Sequence, residues 1–124
     1  LSSGHDLVAR EWSTGFERCF GLAELLAKRI AELGTNDGVV MAYLEALADV
    51  PDSLVAAKFG TEKAEEVSER VGSILGPDAG ETLRRAEELD LEFVEEDINP
   101  GSTADLIGAA LFIALVNGAI LRGE

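Results

Sequence analysis

Apolar residues recur every three or four positions along most of this chain. From Val8 the spacing runs through Trp12, Phe16, Cys19, Phe20, Ala23, Leu26, Ile30 and Leu33. Steps of that size place one stripe on a helix. Gly34 then supplies the left-handed position that ends it, and Ser2, Ser3 or Asp6 is placed to cap its start. Gly15 and Gly21 weaken the middle of this helix and offer room for a second helix to come close. A second helix is expected after Asn36 or Asp37, with Val40, Tyr43, Leu44 and Leu47 inward and Pro51 as its end. "PDSLVAAKFG" (51–60) predicts a short helical turn capped by Asp52 or Ser53 and stopped by Gly60. A fourth helix starts at Thr61, with Ala64, Val67, Val71 and Ile74 inside and Glu62, Glu65, Glu66 and Glu69 outside. "GPDAG" breaks the pattern. A fifth helix turns Leu83, Ala86, Leu89, Phe93 and Val94 inward and ends near Asn99–Pro100, because a residue before proline avoids the α region.

The last segment, "NPGSTADLIGAALFIALV" (99–116), is apolar on nearly every face. A helix from Gly101 to about Leu121 is expected, buried as the central helix of a bundle. A membrane span needs about 20 apolar residues. Here Asp105, Asn117 and two glycines interrupt the run and no aromatic or basic anchors flank it, so a bundle core is preferred to a membrane. No stretch alternates with strand period and no internal repeat is present. The expected fold is all-α: a compact bundle of five or six helices in one domain over 1–124.

Charge changes the picture. The chain carries 24 acidic and 10 basic residues, a net charge of −14, with 47% hydrophobic residues. Nucleic acid is excluded as a partner, since phosphate backbones need clustered Lys and Arg; anionic membranes are excluded for the same reason. The apolar content is too high for a disordered acidic chain. A packed core under an acidic skin that holds only Lys28, Lys58 and Lys63 as lysines suits a halophilic source, where salt screens self-repulsion. Cys19 is the sole cysteine, so no internal disulfide or thiolate metal site exists, and a reducing cytoplasm is the expected location. No secretory leader is recognisable in "LSSGHDLVAREW". The chain opens on Leu rather than Met, as a piece of something longer does.

Three places carry candidate chemistry. In "NPGSTAD", Gly101 frees the backbone, and Ser102 and Thr103 sit where the first amides of the helix lack partners. Such a start holds phosphate, and Asp105 suits Mg²⁺ or a ribose hydroxyl. The simpler reading of the same spacing is a capping box with Ser102 as N-cap and Asp105 complementing the dipole. In "PDSLVAAKFG", Asp52 and Lys58 are six apart, about 120° from alignment on a regular helix. They read as a cap and a surface lysine unless the turn is irregular. Glu11 and Glu17 lie on the first helix near its aromatic stripe, and Glu24, seven beyond Glu17, shares its face; such an acidic column reads as a solvated face, with a Mg²⁺ site as the alternative. His5 is a lone terminal histidine and Cys19 reads as core filler. No nucleophile–histidine pair, phosphate-binding glycine loop or zinc pattern occurs.

"INPGSTADLIGAALFIAL" resembles the C-terminal signature of the triphosphoribosyl-dephospho-coenzyme A synthases, which carry a similar NPGGSADLL before an apolar helix. "PDSLVAAKFG" resembles their upstream segment, an Asp-Thr pair followed by a basic residue and glycine, with Ser53 here in place of Thr. "VAREWSTGFERCFGLAELL" looks like the archaeal branch of that family. The resemblance implies an all-α fold and transfer of the triphosphoribosyl group of ATP to 3′-dephospho-coenzyme A with release of adenine, the chemistry of a pentosyltransferase. It implies Asp105 and Asp52 as catalytic carboxylates. Lys58, Gly60, Asn99, Gly101, Ser102 and Thr103 would bind nucleotide, and Asp105 would also meet Mg²⁺. Family members are longer, so the resemblance covers their C-terminal half. Either the missing N-terminal half or a second copy in a homodimer would complete the site. A helical interaction or dimerisation module without chemistry is the alternative. It predicts scattered polar residues and an exposed apolar patch.

Overall fold

The computed structural model describes residues 2–118, with side chains from 17 onward. Six helices follow one another: α1 (Ser2–Leu33), α2 (Thr35–Asp49), α3 (Ser53–Phe59), α4 (Thr61–Ile74), α5 (Ala79–Glu95) and α6 (Gly101–Val116). Among the described residues there is no strand, and no helix is long and apolar enough to cross a membrane. Positions Val8, Trp12 and Phe16 of the first stripe, the cap candidates Ser2, Ser3 and Asp6, and His5, Glu11 and Gly15 have side chains outside the described set. The expected end of the last helix near Leu121 is outside it too.

Two punctuating glycines act as the pattern predicts. Gly34 has φ 90 and its amide reaches the Ile30 carbonyl at 2.8 Å, closing α1. Gly60 has φ 99 and serves both as the end of α3 and the start of α4. Only glycine adopts such values without strain. Gly34 is also the whole connection to α2, which therefore begins at Thr35, earlier than the expected Asn36 or Asp37. α2 then folds back along α1: Gly38 lies against Ile30, and the Arg18 guanidinium donates to the Ala46 carbonyl. The close approach is at Gly38. A Cβ there would stand 2.6 Å from the Ile30 backbone, whereas one at Gly21 would meet nothing within 4 Å. The expectation for Gly21 is thereby corrected: the tight contact sits on the partner helix.

Two apolar clusters share α2 as a wall. On one side Leu44 and Leu47 pack with Val55 of α3, Val67 and Val71 of α4, and Phe93 of α5. On the other side Ala42 and Ala46 pack with Leu22 and Leu26 of α1 and with Ile107 and Ala110 of α6. Each fully buried Leu or Val contributes roughly 1.5–3 kcal/mol. Cys19 is buried, as core filler should be, and burial pushes its thiol pKa up. Glu17 and Glu24 are exposed, in keeping with a solvated face.

Four inward assignments are corrected: on the first two helices Phe20 is 55% exposed and Val40 41%, and the other two are Val94 and the outer face of α6. Val94 is 68% exposed while its neighbour Phe93 is buried; adjacent residues diverge by about 100° on a helix, so one stripe cannot hold both. α6 is not buried all round. Thr103, Ile107, Ala110 and Ala114 face the bundle, while Phe112 (67% exposed), Leu115 and Val116 face outward. Its contacts are with α1, α2 and α3, and no described element covers the opposite side.

Candidate functional site

The site is organised by Asp52. Pro51 and an extended Asp52 (φ −73, ψ 129) end the link from α2, and the carboxylate turns back over the start of α3. Oδ1 accepts from the amides of Leu54 (2.8 Å) and Val55 (3.1 Å). This is the N-cap expected from the sequence. Oδ2 accepts from the amide of Thr103 (2.7 Å) and from its hydroxyl (2.8 Å). One carboxylate thus closes the starts of two helices, reaching Thr103 from a position 51 residues earlier in the chain. Asp52 is 1% exposed and Thr103 2%. A buried carboxylate is tolerated because four donors and two helix N-termini compensate its desolvation.

This arrangement corrects the capping-box reading of α6. The N-cap position is Pro100, with no side-chain cap of its own, and the helix starts at Gly101. Ser102 lies inside the first turn, so its hydroxyl is free for another partner: Ser102 Oγ and Ser53 Oγ are 2.7 Å apart. The cap comes from Asp52 across the fold. Asp105 lies beyond the first turn and is exposed, with no hydrogen bond or ion pair among the described residues. Helix geometry places it about 200° from Thr103 and about 60° from Ser102. The outward face of the joined helix starts therefore presents Ser102 and Asp105, with Ser53 bonded beside them.

Lys58 does not meet Asp52. One turn on from Leu54, it pairs instead with Asp97, Nζ to Oδ2 at 2.6 Å, and lies 5.3 Å from the centre of the Phe59 ring. Lys58, Asp97 and Asn99 line one hollow of about 410 Å³, with Leu54 and Phe59 as its apolar wall. Gly101 sits against Leu54; a Cβ there would come 2.9 Å from Leu54 Cδ1. Gly60 is a hinge between α3 and α4 and makes no part of that lining. Thus Asp52, Ser53, Ser102 and Thr103 meet at the two helix starts, while Lys58, in the last turn of α3, shares a separate hollow with Asn99. Gly60 shapes the backbone between α3 and α4.

The sequence reading missed two residues here. Asp97, on the turn after α5, had no distinguishing signal among so many acids. Its one mark is position: it occupies a left-handed conformation (φ 60), unlike any other described non-glycine residue. The second is Tyr43. It lines an apolar hollow of about 360 Å³ between α2, α4 and α5, with Pro100, Asp37 and Asp90 also at its walls. Burial, and then the negative charges of Asp52 and Asp90, push its phenol up to about 12. An ordinary tyrosine titrates near 10. The neutral phenol is therefore favoured by folding: that contribution is complete below pH ~10 and is lost as pH rises through ~12. Tyr43 is the sole tyrosine, so ultraviolet absorbance reads it alone. The expected midpoint is near 12, and a midpoint near 10 would contradict its burial beside Asp52.

Chemically, the region offers an exposed carboxylate next to two hydroxyls, and a cation at a separate hollow of about 410 Å³. The apolar hollow, with carboxylates at its rim, suits a flat group bearing an amine. No three Asp, Glu, His or Cys side chains among the described residues form a metal cage. Magnesium commonly binds through one carboxylate plus substrate phosphates, which needs no such cage.

The sequence model of the ATP:dephospho-CoA triphosphoribosyl transferase family matches residues 1–122. A crystal structure from Archaeoglobus fulgidus, of a protein assigned as a triphosphoribosyl-dephospho-CoA synthase, is similar: 32% identity over 90% of this chain, with a TM-score of 0.71. The chain spans about half the length of that relative, 47%. No curated protein matches.

Proposed function

Because the chain belongs to the ATP:dephospho-CoA triphosphoribosyl transferase family, we propose that it contributes part of a site that moves the triphosphoribosyl group of ATP to 3′-dephospho-coenzyme A. The observation that supports this reading most is the Asp52 clasp. It draws "PDS" and "NPGST" into contact at a buried carboxylate, with Ser53 and Ser102 bonded beside it and Lys58 and Asn99 in a hollow at the far end of α3.

In the transfer, a ribose hydroxyl of dephospho-coenzyme A attacks C1′ of the ATP ribose. The glycosidic bond breaks, adenine leaves with a proton, and the triphosphate stays intact. The anomeric carbon gains positive character at the transition state, and a nearby carboxylate stabilises it. We assign that role to Asp105, the exposed carboxylate of this face. Asp52 positions the two segments, because both its oxygens are already committed to donors. Lys58 holds phosphate, and magnesium travels with the triphosphate. Adenine carries an amine of the kind that the Tyr43 hollow suits. The remainder of a full-length site, on further chain or on a second copy, would hold the acceptor. The lone, buried Cys19 is consistent with a cytoplasmic setting.

The test is calorimetric titration of Mg·ATP in concentrated salt, with adenine release measured in the presence of 3′-dephospho-coenzyme A. Lys58→Ala is expected to weaken ATP binding roughly tenfold, the loss of a charge-assisted contact. Asp105→Ala is expected to leave ATP affinity within about twofold while adenine release drops by roughly a hundredfold or more. If the unsubstituted chain shows no ATP binding at all, the nucleotide-site reading fails for this chain.

A further inference from the structure

We propose that Asp97 is a built-in stand-in for phosphate on Lys58: it holds the lysine in the binding hollow and must be displaced before a polyphosphate can bind. The inference rests on the reading of Lys58 as the phosphate contact.

Three observations carry it. First, the pair is short for a surface contact, with Nζ 2.6 Å from Oδ2 although the side chains are 57% and 83% exposed. The carboxylate oxygen occupies the place a phosphate oxygen would take on an ammonium. Second, the two groups share a hollow of about 410 Å³ with Asn99, and the Phe59 ring lies close to the ammonium. The space beside the pair therefore admits a larger anion, with a side-chain amide present to donate to it. Third, Asp97 is held in a conformation that favours glycine. Its φ is 60, in a turn where its amide reaches the Val94 carbonyl and the Ile98 amide reaches the Phe93 carbonyl. A helix end of this shape is usually met by Gly. An aspartate there carries a steric cost that glycine avoids, and what it adds over glycine is the carboxylate on Lys58.

The consequence is selectivity by charge. A ligand gains from Lys58 only what exceeds the existing pair, so a singly charged anion gains little. A triphosphate brings several negative oxygens to one ammonium and can win the exchange. The displaced Asp97, already mostly in water, moves out at small cost.

The experiment titrates inorganic tripolyphosphate, with and without Mg²⁺, into the unsubstituted chain, Asp97→Asn, Lys58→Ala and the double variant. Asparagine tolerates the left-handed conformation at least as well as aspartate, and circular dichroism checks that each variant is folded. Asp97→Asn is expected to bind metal-free tripolyphosphate roughly two- to fivefold more tightly, the range measured for exposed ion pairs. The gain is expected to vanish when Lys58 is alanine and to shrink as salt screens the pair. If Lys58→Ala binds as well as the unsubstituted chain, the phosphate role of Lys58 fails and this inference with it. If Lys58→Ala loses binding while Asp97→Asn binds no better, the phosphate role stands and the stand-in is overturned. Weaker binding by Asp97→Asn only when Mg²⁺ is present would assign Asp97 to the metal and also overturn it.

Discussion

Asp52→Ala is expected to destabilise the fold by roughly 3 kcal/mol or more, the sum of a lost helix cap and buried donors left without acceptors. Three backbone amides and one hydroxyl lose their partner at once. Stability of a domain this size is on the order of 5–15 kcal/mol, so the loss is a large fraction of the whole. Asp52→Asn separates the two halves of the clasp. Its remaining carbonyl oxygen can still cap Leu54 and Val55. Its amide nitrogen would then face the Thr103 amide, donor against donor. Urea denaturation should show a lower midpoint for both variants. Hydrogen exchange should show Thr103 losing protection in both, with Leu54 and Val55 losing it in the alanine variant alone. An unchanged midpoint together with a protected Thr103 amide in Asp52→Ala would show that the clasp contributes nothing.

Gly38→Ala should cost about 1–3 kcal/mol, the range for forcing atoms into a packed interior. Alanine ordinarily stabilises a helix interior over glycine by ~0.5–1 kcal/mol, so the sign itself is informative. At Gly38 the added methyl would sit 2.6 Å from the backbone nitrogen and Cα of Ile30 and 2.8 Å from the carbonyl carbon of Arg29. Backbone cannot swing aside as a side chain can, so α1 and α2 must move apart, and α2 borders both apolar clusters. Gly21→Ala is the control: open space surrounds it, and the ordinary helix gain is expected. Thermal denaturation of the two variants in parallel decides the matter. Equal midpoints for Gly38→Ala and Gly21→Ala would remove the steric account.

Much of the fold could be read from local signals. Helical spacing marks α1, α2, α4 and α5, and Gly34, Pro51 and Gly60 mark breaks with a conformational cause. Asp52 as the cap of α3 is local too. Its other oxygen is not: nothing in the sequence pairs residue 52 with residue 103, because a side-chain hydrogen bond across the fold leaves no periodic trace. The same limit explains α6. Its uniform apolarity conceals which face is turned inward, and Thr103, a polar residue, proves to be among the buried ones. Asp97 was hidden differently. In a chain with 24 acids one more carboxylate carries no information until its backbone conformation is known. The two segments that the family resemblance singled out are joined in the fold by Asp52, a long-range contact that the resemblance did not specify.

The shared wall made by α2 has a consequence for how the chain is assembled during synthesis. Every member of the cluster that includes Phe93 has been made once Ile98 is added. The other cluster lacks Ile107, Ala110 and Ala114 until α6 is complete. Chains emerge from the N-terminus at about 5–20 residues per second, so one side of α2 can be clad while the other still waits. During that interval Leu22, Leu26 and the alanine face of α2 are open to water. Arrival of α6 closes that side, and the same step brings Thr103 to Asp52. The clasp between Asp52 and Thr103 is therefore made only when α6 joins, whereas the pair of Lys58 with Asp97 lies wholly on chain made before it.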